Sequence, residues 1–459
     1  MSPSEVRSLL ALAFLYAVRM LGLFMVLPVF ALYAEHYPGS TPFLIGLALG
    51  VYGLSQSVLQ IPFGLLSDRI GRKPVIAFGM LLFLAGSVIC ALAESLHGVV
   101  IGRFLQGAGA VASVIMALLS DVTQEQHRTR AMAAVGGVIG LAFALAMVLG
   151  PLAAGWWGLS GVFWLTAGLA LSGLLIVLIG VPNPSVRHRG HEVIPVPAMI
   201  KRVIHDSQLL RLNMGIFALH FIQMATWVAV PVLLEQQFDF TRDRHWYLYL
   251  SVMAGGFLMM VPFIWYGETR RRMKPVFVGA IVILAVAEGI MAAAGADLSH
   301  MVLGLLLFFM AFNLLEASLP SLVSKLAPAG IKGTAMGVYS TSQFLGAFLG
   351  GVTGGAVAMN FGDAAVFWAS LIVVLLWLSV AMTMRPPRYL RSLAVTYDAS
   401  LPFDARRLVV ETRGVEDVVV LPRDSLAYIK VDDAHFDQAQ FDSVLQQMQR
   451  ADDGPISKI

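Results

Sequence analysis

The chain has 459 residues, of which 58% are hydrophobic and only 13% are charged, and its mean hydropathy is +0.77. Soluble domains carry about 25% charged residues, so this composition indicates a membrane protein. The net charge of +3 is too small to indicate nucleic-acid binding, and the single cysteine, Cys90, excludes an intramolecular disulfide and a CxxC metal or redox site.

The first apolar run follows MSPSEV and lacks a small-residue cleavage site, so we expect a membrane span there rather than a removed signal peptide. A spanning helix needs about 20 mostly apolar residues, and the lipid core permits no other isolated backbone structure. Twelve runs meet this requirement: 8–34, 43–67, 75–93, 98–120, 131–157, 162–181, 210–236, 246–267, 275–295, 299–325, 332–360 and 364–384.

Lysine and arginine are concentrated in alternate loops. If the N-terminus is inside, the outer loops carry only Arg242 and Arg244. The inner segments then carry Arg7, Arg69, Arg72, Lys73, Arg128, Arg130, Arg187, Arg189, Lys201, Arg202, Arg270, Arg271, Arg272, Lys274, Lys332, Arg385 and Arg388. Basic residues favour the cytoplasmic side, so the pattern predicts cytoplasmic termini.

The two halves of the apolar region repeat each other. QIPFGLLSDRIGRKP (60–74) matches MVPFIWYGETRRRMKP (260–275) in its Pro-Phe, its basic cluster and its final Lys-Pro, and AMAAVGGVIG (131–140) matches AMGVYSTSQF (335–344) more weakly. This predicts two six-span halves, 1–181 and 210–385, joined by a cytoplasmic linker, 182–209. Such repeats are typical of secondary transporters, which bind substrate between the halves near the middle of the bilayer.

After residue 387 the sequence becomes polar. In 388–459, LRSLAVTY, VEDVVVL and LAYIKV have the pattern of strands, while 405–412 and 441–448 have helical periodicity. The order βαββα predicts a small cytoplasmic ferredoxin-like domain, for which we expect a role in regulation or self-association. The fold class is therefore an all-α membrane protein of twelve helices with a small C-terminal α+β domain.

The loop GLLSDRIGRKP (64–74) puts charges between two apolar runs. Topology alone would account for its basic residues but not for Asp68, because acids contribute little to orientation. The loop resembles the signature GxxxDRxGRR of the major facilitator superfamily, and the matching residues are Gly64, Asp68, Arg69, Gly71, Arg72 and Lys73, with Lys73 in place of arginine. The resemblance covers about 1–385. It implies that the loop is a gate whose acid and arginine pair with Asp121, at the inner end of span 4.

Two further motifs support the resemblance. GRFLQGAGA (102–110) resembles the motif of span 4, with Arg103 as its arginine. GPLAAG (150–155) resembles the span 5 motif of antiporters in Gly150, Pro151 and Gly155, with Ala154 in place of the usual glycine. The first span and the C-terminal domain together are similar to efflux-type members of the family, and the domain resembles the one called YAM.

Ionisable residues inside spans are costly and usually functional. Arg19, Arg103, His220 and Glu316 fall in spans 1, 4, 7 and 10, which the resemblance implies line a central cavity. Arginine keeps its proton, whereas Glu316 and His220 can exchange one. We expect Glu316 to face Arg19 or Arg103. A structural ion pair for Glu316, a packing role for His220 and a structural role for Arg103 are the alternatives.

Two other polar residues in the spans have less defined roles. Gln106 is either a cavity contact or a hydrogen-bonding link between helices. Glu288 lies in span 9, which the resemblance implies is peripheral, so a structural role is expected for it.

These observations predict a multi-pass protein of the bacterial inner membrane. The leading hypothesis is a proton-coupled antiporter that exports small amphipathic or drug-like compounds by alternating access, with the substrate, protons and lipid as its partners. We expect no cofactor, metal or nucleic acid, and no enzymatic activity, because the sequence contains no nucleophile–base constellation. The alternative is a membrane sensor or scaffold that signals through the C-terminal domain.

Overall fold

A computed structural model describes residues 3–123, 125–180, 197–295, 297–327, 332–386, 390–396, 405–421, 426–432 and 435–450. Twelve membrane segments, numbered as spans 1 to 12, confirm the predicted runs. Their helices are Pro3–Phe24 and Phe30–Ala34 (span 1), Pro42–Ile70 (2), Arg72–Leu92 (3), Leu96–Ala108 and Ala112–Val122 (4), Glu125–Leu175 (5 and 6), Ser207–Gln236 (7), His245–Thr269 (8), Met273–Ala292 (9), Leu298–Leu326 (10), Lys332–Phe361 (11) and Ala364–Met382 (12).

Spans 5 and 6 are two helices within Glu125–Leu175 that meet at Gly158, where the backbone is not helical. Among the described residues eleven helices are long and apolar enough to cross a membrane, and one of them, Ala134–Gly180, has 47 residues. Gly158 has a φ of +66° inside it, which side chains rarely adopt, and the chain turns back there to make two spans.

Short polar side chains begin several spans. The hydroxyls of Thr41 and Ser95 accept hydrogen bonds from the first turns of spans 2 and 4, and the carboxyls of Asp206 and Asp297 do the same for spans 7 and 10. Each satisfies backbone N–H groups that a helix start leaves unpaired. The helix Pro197–His205 precedes span 7. Residues 182–196 of the predicted linker lie outside the described residues, as does Arg388.

The two halves meet tightly along spans 2 and 11. A Cβ added to Gly46 would lie 2.1 Å from the carbonyl oxygen of Gly351, and one added to Gly50 would lie 2.6 Å from that of Phe348. We call the end of the bundle with the loop 64–74 the basic face, and the other end the opposite face. The glycine contacts belong to the opposite-face parts of both spans, whereas Cβ atoms on Gly64 and Gly337, nearer the basic face, would meet nothing within 4 Å. The halves are therefore closed together at the opposite face.

The C-terminal domain has the predicted order of elements. Strands β1 (Leu390–Thr396), β2 (Val415–Leu421) and β3 (Leu426–Asp432) form an antiparallel sheet in the order β1-β3-β2, and the helices are Ala405–Glu411 and Gln438–Arg450. Leu408, Ile429, Val431, Phe441 and Val444 form its core. Because this core is separate from those of the membrane helices, the domain packs as its own unit.

Candidate transport site

A cavity of about 320 Å³ lies between the two halves. Spans 1, 2 and 5 of the first half and spans 7, 10 and 11 of the second half line it, mostly with aliphatic and aromatic side chains. His220, Gln223, Asn313, Glu316 and Gln343 are its polar groups from the second half. Span 4, which the resemblance placed at the cavity, contributes no lining residue among those described. The arrangement is a mainly apolar chamber with its ionisable groups on one wall.

His220, Glu316 and Gln343 form the polar cluster of that wall. The Nε2 atom of Gln343 lies 2.8 Å from His220 Nε2 and donates a hydrogen bond of 3.3 Å to Glu316 Oε1. His220 Nε2 lies 3.8 Å from Glu316 Oε2, and the imidazole packs edge-on against Phe312. The side chains of His220 and Glu316 are 12% and 38% exposed, so the cavity reaches the carboxyl more readily than the ring.

The hydrogen bonds around His220 define its proton state in this arrangement. Its Nδ1 atom lies 3.3 Å from the carbonyl oxygen of Ile216, which can only accept, so Nδ1 carries a hydrogen. Its Nε2 atom faces the amide nitrogen of Gln343, which can only donate, so Nε2 is the acceptor. The ring is therefore neutral with the Gln343 amide oriented this way. Protonation of Nε2 requires the amide to turn and present its oxygen, which couples Gln343 to the charge on the ring.

Both predicted arginines lie behind the cavity wall, on either side of Tyr52. Arg19 Nη2 donates to the hydroxyl of Tyr52 at 3.2 Å and to Gln56 Oε1 at 2.8 Å. The Arg103 guanidinium lies 5.1 Å from the centre of the Tyr52 ring. Both arginines are fully buried, and Tyr52 separates them from the cavity that it lines.

Gln106 is buried beside Arg103 and does not line the cavity. Arg103 Nη1 donates to its Oε1 at 3.0 Å, and its Nε2 donates to Ser87 at 2.8 Å. These bonds link spans 3 and 4. The expectation that Glu316 faces Arg19 or Arg103 is wrong: its bonding partners are His220 and Gln343 of its own half. The arginines are instead held within the first half by span 2, whose Tyr52 and Gln56 the sequence analysis missed, although their spacing of four residues puts them on one helix face.

The loop 64–74 places its charges around one arginine. Arg72 pairs with Asp68 one turn earlier, and its Nε donates to Asp121 Oδ2 at 3.2 Å. Gly71 makes the turn with a φ of +103°, and Lys73 donates to the carbonyl of Leu178 at 3.0 Å. Arg69 is exposed, and Gly64 has open space beside it. The predicted link between Asp68 and Asp121 is thus made through Arg72, within the first half.

The motif in span 5 positions span 1. A Cβ on Gly150 would lie 2.3 Å from the carbonyl oxygen of Met25, which is in the break between the two helices of span 1. Pro151 follows inside the helix, and Gly155 has no atom within 4 Å of its Cβ position. The close approach explains the need for a glycine at position 150. No group of three or more His, Cys, Asp or Glu residues in the described parts of the chain could hold a metal ion.

Fold, cavity and motifs agree with the comparison with known proteins. Residues 12–351 match the Major Facilitator Superfamily, and the chain belongs to this family of transporters. It is 45% identical over 449 residues to the inner membrane transport protein YajR of Escherichia coli (strain K12), which covers 97% of this chain and 99% of that protein. A second relative, the multidrug resistance protein MdtH of Aeromonas salmonicida (strain A449), is 27% identical over 342 residues, 73% of this chain and 84% of that protein.

Solved structures show the same fold at lower identity. A bacterial homologue of the human lysosomal transporter Spinster, in an inward-facing and occupied conformation, has a TM-score of 0.70 and 13% identity over 83% of this chain and 97% of its own. The human organic anion transporter MFSD10 has a TM-score of 0.62 and 21% identity over 83% of this chain and 100% of its own. The protein is therefore a multi-pass inner-membrane transporter and not an enzyme.

Proposed function

We propose that this transporter is a proton-coupled antiporter that exports small amphipathic or drug-like compounds by alternating access. The observation that carries the proposal is the cluster of His220, Glu316 and Gln343 on one wall of a mainly apolar cavity between the halves. An ionisable pair at this place can hold a proton when the cavity is empty and release it when a substrate binds. Exchange of one for the other is the basis of antiport.

The cluster can change its proton content by exchanging hydrogen-bond partners among its three members. As a carboxylate, Glu316 accepts the amide hydrogen of Gln343. Once protonated, it can donate instead to the acceptor nitrogen of His220, 3.8 Å away, after the Gln343 amide has released the single lone pair of that nitrogen. A cationic amphipathic substrate would favour the carboxylate, because the charges attract in a site of low dielectric. Substrate and proton thereby compete for the same group.

The proposed direction of access follows from topology. The lysine and arginine pattern favours the basic face as the cytoplasmic side, with both termini there. The conformation with the opposite face closed is then inward-facing, and the cavity takes compounds from the cytoplasm or inner leaflet. The Arg72 contacts at the basic face join Asp68 to Asp121, and we propose that they hold spans 2, 3 and 4 together as this face closes.

The chemistry of the cavity supports an apolar or amphipathic substrate. Phe24, Phe143, Phe312 and Phe344 contribute aromatic faces, and Met20 and Met224 contribute adaptable thioethers. Such linings accept many shapes, because their contacts are not directional. The name of the relative MdtH, a multidrug resistance protein, agrees with this substrate class.

The comparison supports the transporter over the sensor or scaffold alternative. The similarity to a transport protein extends over 97% of the chain, so it takes in the C-terminal domain on which that alternative depended. We propose a regulatory role for the domain within the transporter.

The test is the pH dependence of binding. The affinity of purified protein for a lipophilic fluorescent cation such as ethidium is measured from about pH 5 to about pH 9, for the unaltered protein and for Glu316→Gln. We expect the unaltered protein to bind more weakly at acidic pH and Glu316→Gln to bind with little pH dependence, since the amide keeps the shape but does not titrate. Gln223→Leu, on the same wall and not ionisable, is the control that keeps the pH dependence. Full pH dependence in Glu316→Gln would place the proton site elsewhere.

A further inference from the structure

Glu288 of span 9 is an ionisable group that the proposed transport cycle does not use. Its side chain is fully buried, and neither carboxyl oxygen has a hydrogen-bond partner among the described residues. It does not line the cavity. Thr226 of span 7 lies beside it, with a hydroxyl that is also buried and not placed for a well-formed hydrogen bond. An isolated carboxylate in such surroundings is strongly disfavoured relative to the neutral acid.

No nearby positive charge compensates for this burial. Spans 8, 10 and 12 pack against span 9, and span 7 reaches it through Thr226. Span 12 has no ionisable residue. The titratable residues of the others are Arg211, His220 and Glu235 in span 7, His245, Tyr247, Tyr249, Tyr266 and Glu268 in span 8, Lys274 in span 9 itself, and His300, Glu316 and Lys325 in span 10. None of these side chains bonds to Glu288 in the described structure.

Other unpartnered polar groups lie between Glu288 and the opposite face. Thr226 Oγ1, Trp227 Nε1, Tyr249 Oη and His245 Nδ1 are all buried without a hydrogen bond among the described residues. The rings of Trp227 and Tyr249 are 5.2 Å apart, and those of Tyr249 and His245 are 5.8 Å apart. His245 begins span 8, and its Nε2 lies 2.9 Å from the carbonyl of Phe240 in the preceding loop. Ring contacts therefore connect that loop to Trp227, whose neighbour in sequence, Thr226, lies beside Glu288.

We propose that Glu288 is a second proton-binding site, separate from the cavity, and that it exchanges its proton with the solution at the opposite face along the line His245, Tyr249 and Thr226. In the loading step hydronium at the opposite face gives up a proton and becomes water, each group of the line passes a proton to the next, and a carboxylate oxygen of Glu288 receives the last one; the release step is the reverse. This proposal rests on the proposed function in one respect only: proton-coupled transport is the process in which the second site would take part. Proton binding itself is a property of Glu288 and its neighbours.

The packing around Glu288 connects its charge to the conformation. A Cβ on Gly304 of span 10 would lie 2.4 Å from Met291 Cγ and 3.3 Å from the carbonyl oxygen of Ala287. Span 10 therefore packs closely against the residues of span 9 that come just before and just after Glu288. The protonated acid fits this contact. The ionised form needs water or a positive partner, which requires spans 7, 9 and 10 to separate. Span 10 also carries Glu316. Release of the proton from Glu288 would therefore move span 10 and, with it, the carboxyl in the cavity.

The experiment is infrared difference spectroscopy of the full chain in lipid nanodiscs, titrated from about pH 5 to about pH 9, the range in which buried carboxyls titrate. We expect a carbonyl band of a protonated carboxyl in apolar surroundings that disappears as the pH rises. Glu288→Gln removes this band and Glu316→Gln keeps it. Thr226→Val keeps it but moves its disappearance to higher pH, because the hydroxyl helps to solvate the carboxylate.

Two results overturn the proposal. The first is a band that Glu288→Gln leaves unchanged, which would mean that Glu288 is ionised over the whole range or does not change its protonation. The other is a Glu288 band that persists over the whole titration, which means a permanently neutral, structural acid. If Glu288→Gln does not fold, Thr226→Val decides: an unshifted transition contradicts the proposal. The result is distinguishable from a failure of the proposed function, because the pH dependence of ethidium binding tests Glu316 and this band tests Glu288.

Discussion

Tyr52 is the residue on which the first half of the site is built. Tyr52 is 2% exposed and forms part of the cavity wall. Its hydroxyl accepts a hydrogen bond from Arg19, and the face of its ring contacts the guanidinium of Arg103. Nε and Nη1 of Arg19 have no hydrogen bond in the described structure, so this buried charge depends on Tyr52 and Gln56. A buried charge that loses an acceptor pays a large desolvation penalty.

We therefore expect Gln56→Leu to destabilise the protein by about 2 kcal/mol, since it removes the 2.8 Å acceptor of Arg19. The double variant Arg19→Met with Gln56→Leu should recover most of this loss, because no buried charge then remains unpaired. Tyr52→Phe, which removes the longer bond of 3.2 Å, is the matched comparison and should cost less. Thermal unfolding in detergent measures all three. A double variant as unstable as Gln56→Leu would refute this role for Arg19.

At the scale of helices, the seam between spans 2 and 11 decides which face is closed. Glycines let the two backbones touch at the opposite face, and the same helices are apart nearer the basic face. We expect the seam to open by an increase in the distance between the two helices at the opposite face. A methyl group in the seam acts on the closed state and leaves the open state unaffected.

Gly46→Ala should shift the protein toward opening at the opposite face. Its Cβ would lie 2.1 Å from a backbone oxygen that cannot move alone, and overpacking of this kind costs about 1–3 kcal/mol, a shift in population of about fivefold to a hundredfold. Gly337→Ala, whose Cβ meets nothing, is the control and should change nothing. Labelling of single cysteines from each side measures the shift. Equal accessibility in the two variants would show that the seam does not control closure.

Carboxyl groups also meet where the opposite face closes. Gln236 of span 7 donates to both oxygens of Glu35 from the first half at 3.3 Å, and the guanidinium of Arg242 lies 5.3 Å from the centre of the Tyr33 ring. Burial, and then the charge of Glu235, raise the pKa of Glu35. Burial, and then the charge of Glu35, raise the pKa of Asp363 to about 6. Closure thus gathers like charges from both halves.

Acid should therefore stabilise closure of the opposite face. Opening exposes both carboxyls and returns each pKa toward its ordinary value near 4, so the closed state binds more protons. The stabilisation is complete below about pH 4 and is lost as the pH rises through about 6. Asp363→Asn should keep closure at neutral pH and weaken its pH dependence. Distances between spin labels across the opposite face measure this, and a wild-type distribution that does not change with pH would exclude it.

For the whole molecule, the C-terminal domain is attached to the transporter by a specific contact. Lys430 of β3 is 5% exposed, and its ammonium donates to the carbonyl of Ala327, which ends span 10. Helix C-termini attract positive charge, so the contact is favourable where the last carbonyls of that span lack partners. Span 10 also carries Glu316, which gives the domain a mechanical connection to the site.

Lys430→Met should loosen the domain without unfolding it. Loss of a hydrogen bond from a charged group costs about 1.5 kcal/mol, so cleavage in the junction near residue 387 should become about tenfold faster under limited proteolysis. Arg413→Met, at an exposed position of the same domain, is the control. Truncation after residue 388 should leave the twelve spans folded, because the cores are separate. An unchanged cleavage rate in Lys430→Met would mean that this contact does not hold the domain.

Much of this architecture could be predicted from sequence because it depends on local properties. Span positions follow from apolar length, and the βαββα order of the C-terminal domain follows from periodicity. The partners of Glu316 could not be predicted, because they come from two other spans, 7 and 11, whose surfaces are apolar all round and give no rotational signal. The same reason hid Tyr52 as the residue between the arginines and the cavity. The break between spans 5 and 6 was predicted at 158–161, and the structure places it at Gly158.

The central claim is that substrate and proton exchange through Glu316. The most direct measurement uses proteoliposomes with a pH-sensitive dye inside and records ethidium movement and lumenal pH together. The account predicts that an ethidium gradient drives protons in the opposite direction, and that Glu316→Gln still binds ethidium but moves no protons. Ethidium transport by the unaltered protein with no accompanying change in lumenal pH, or proton movement that persists in Glu316→Gln, would contradict it.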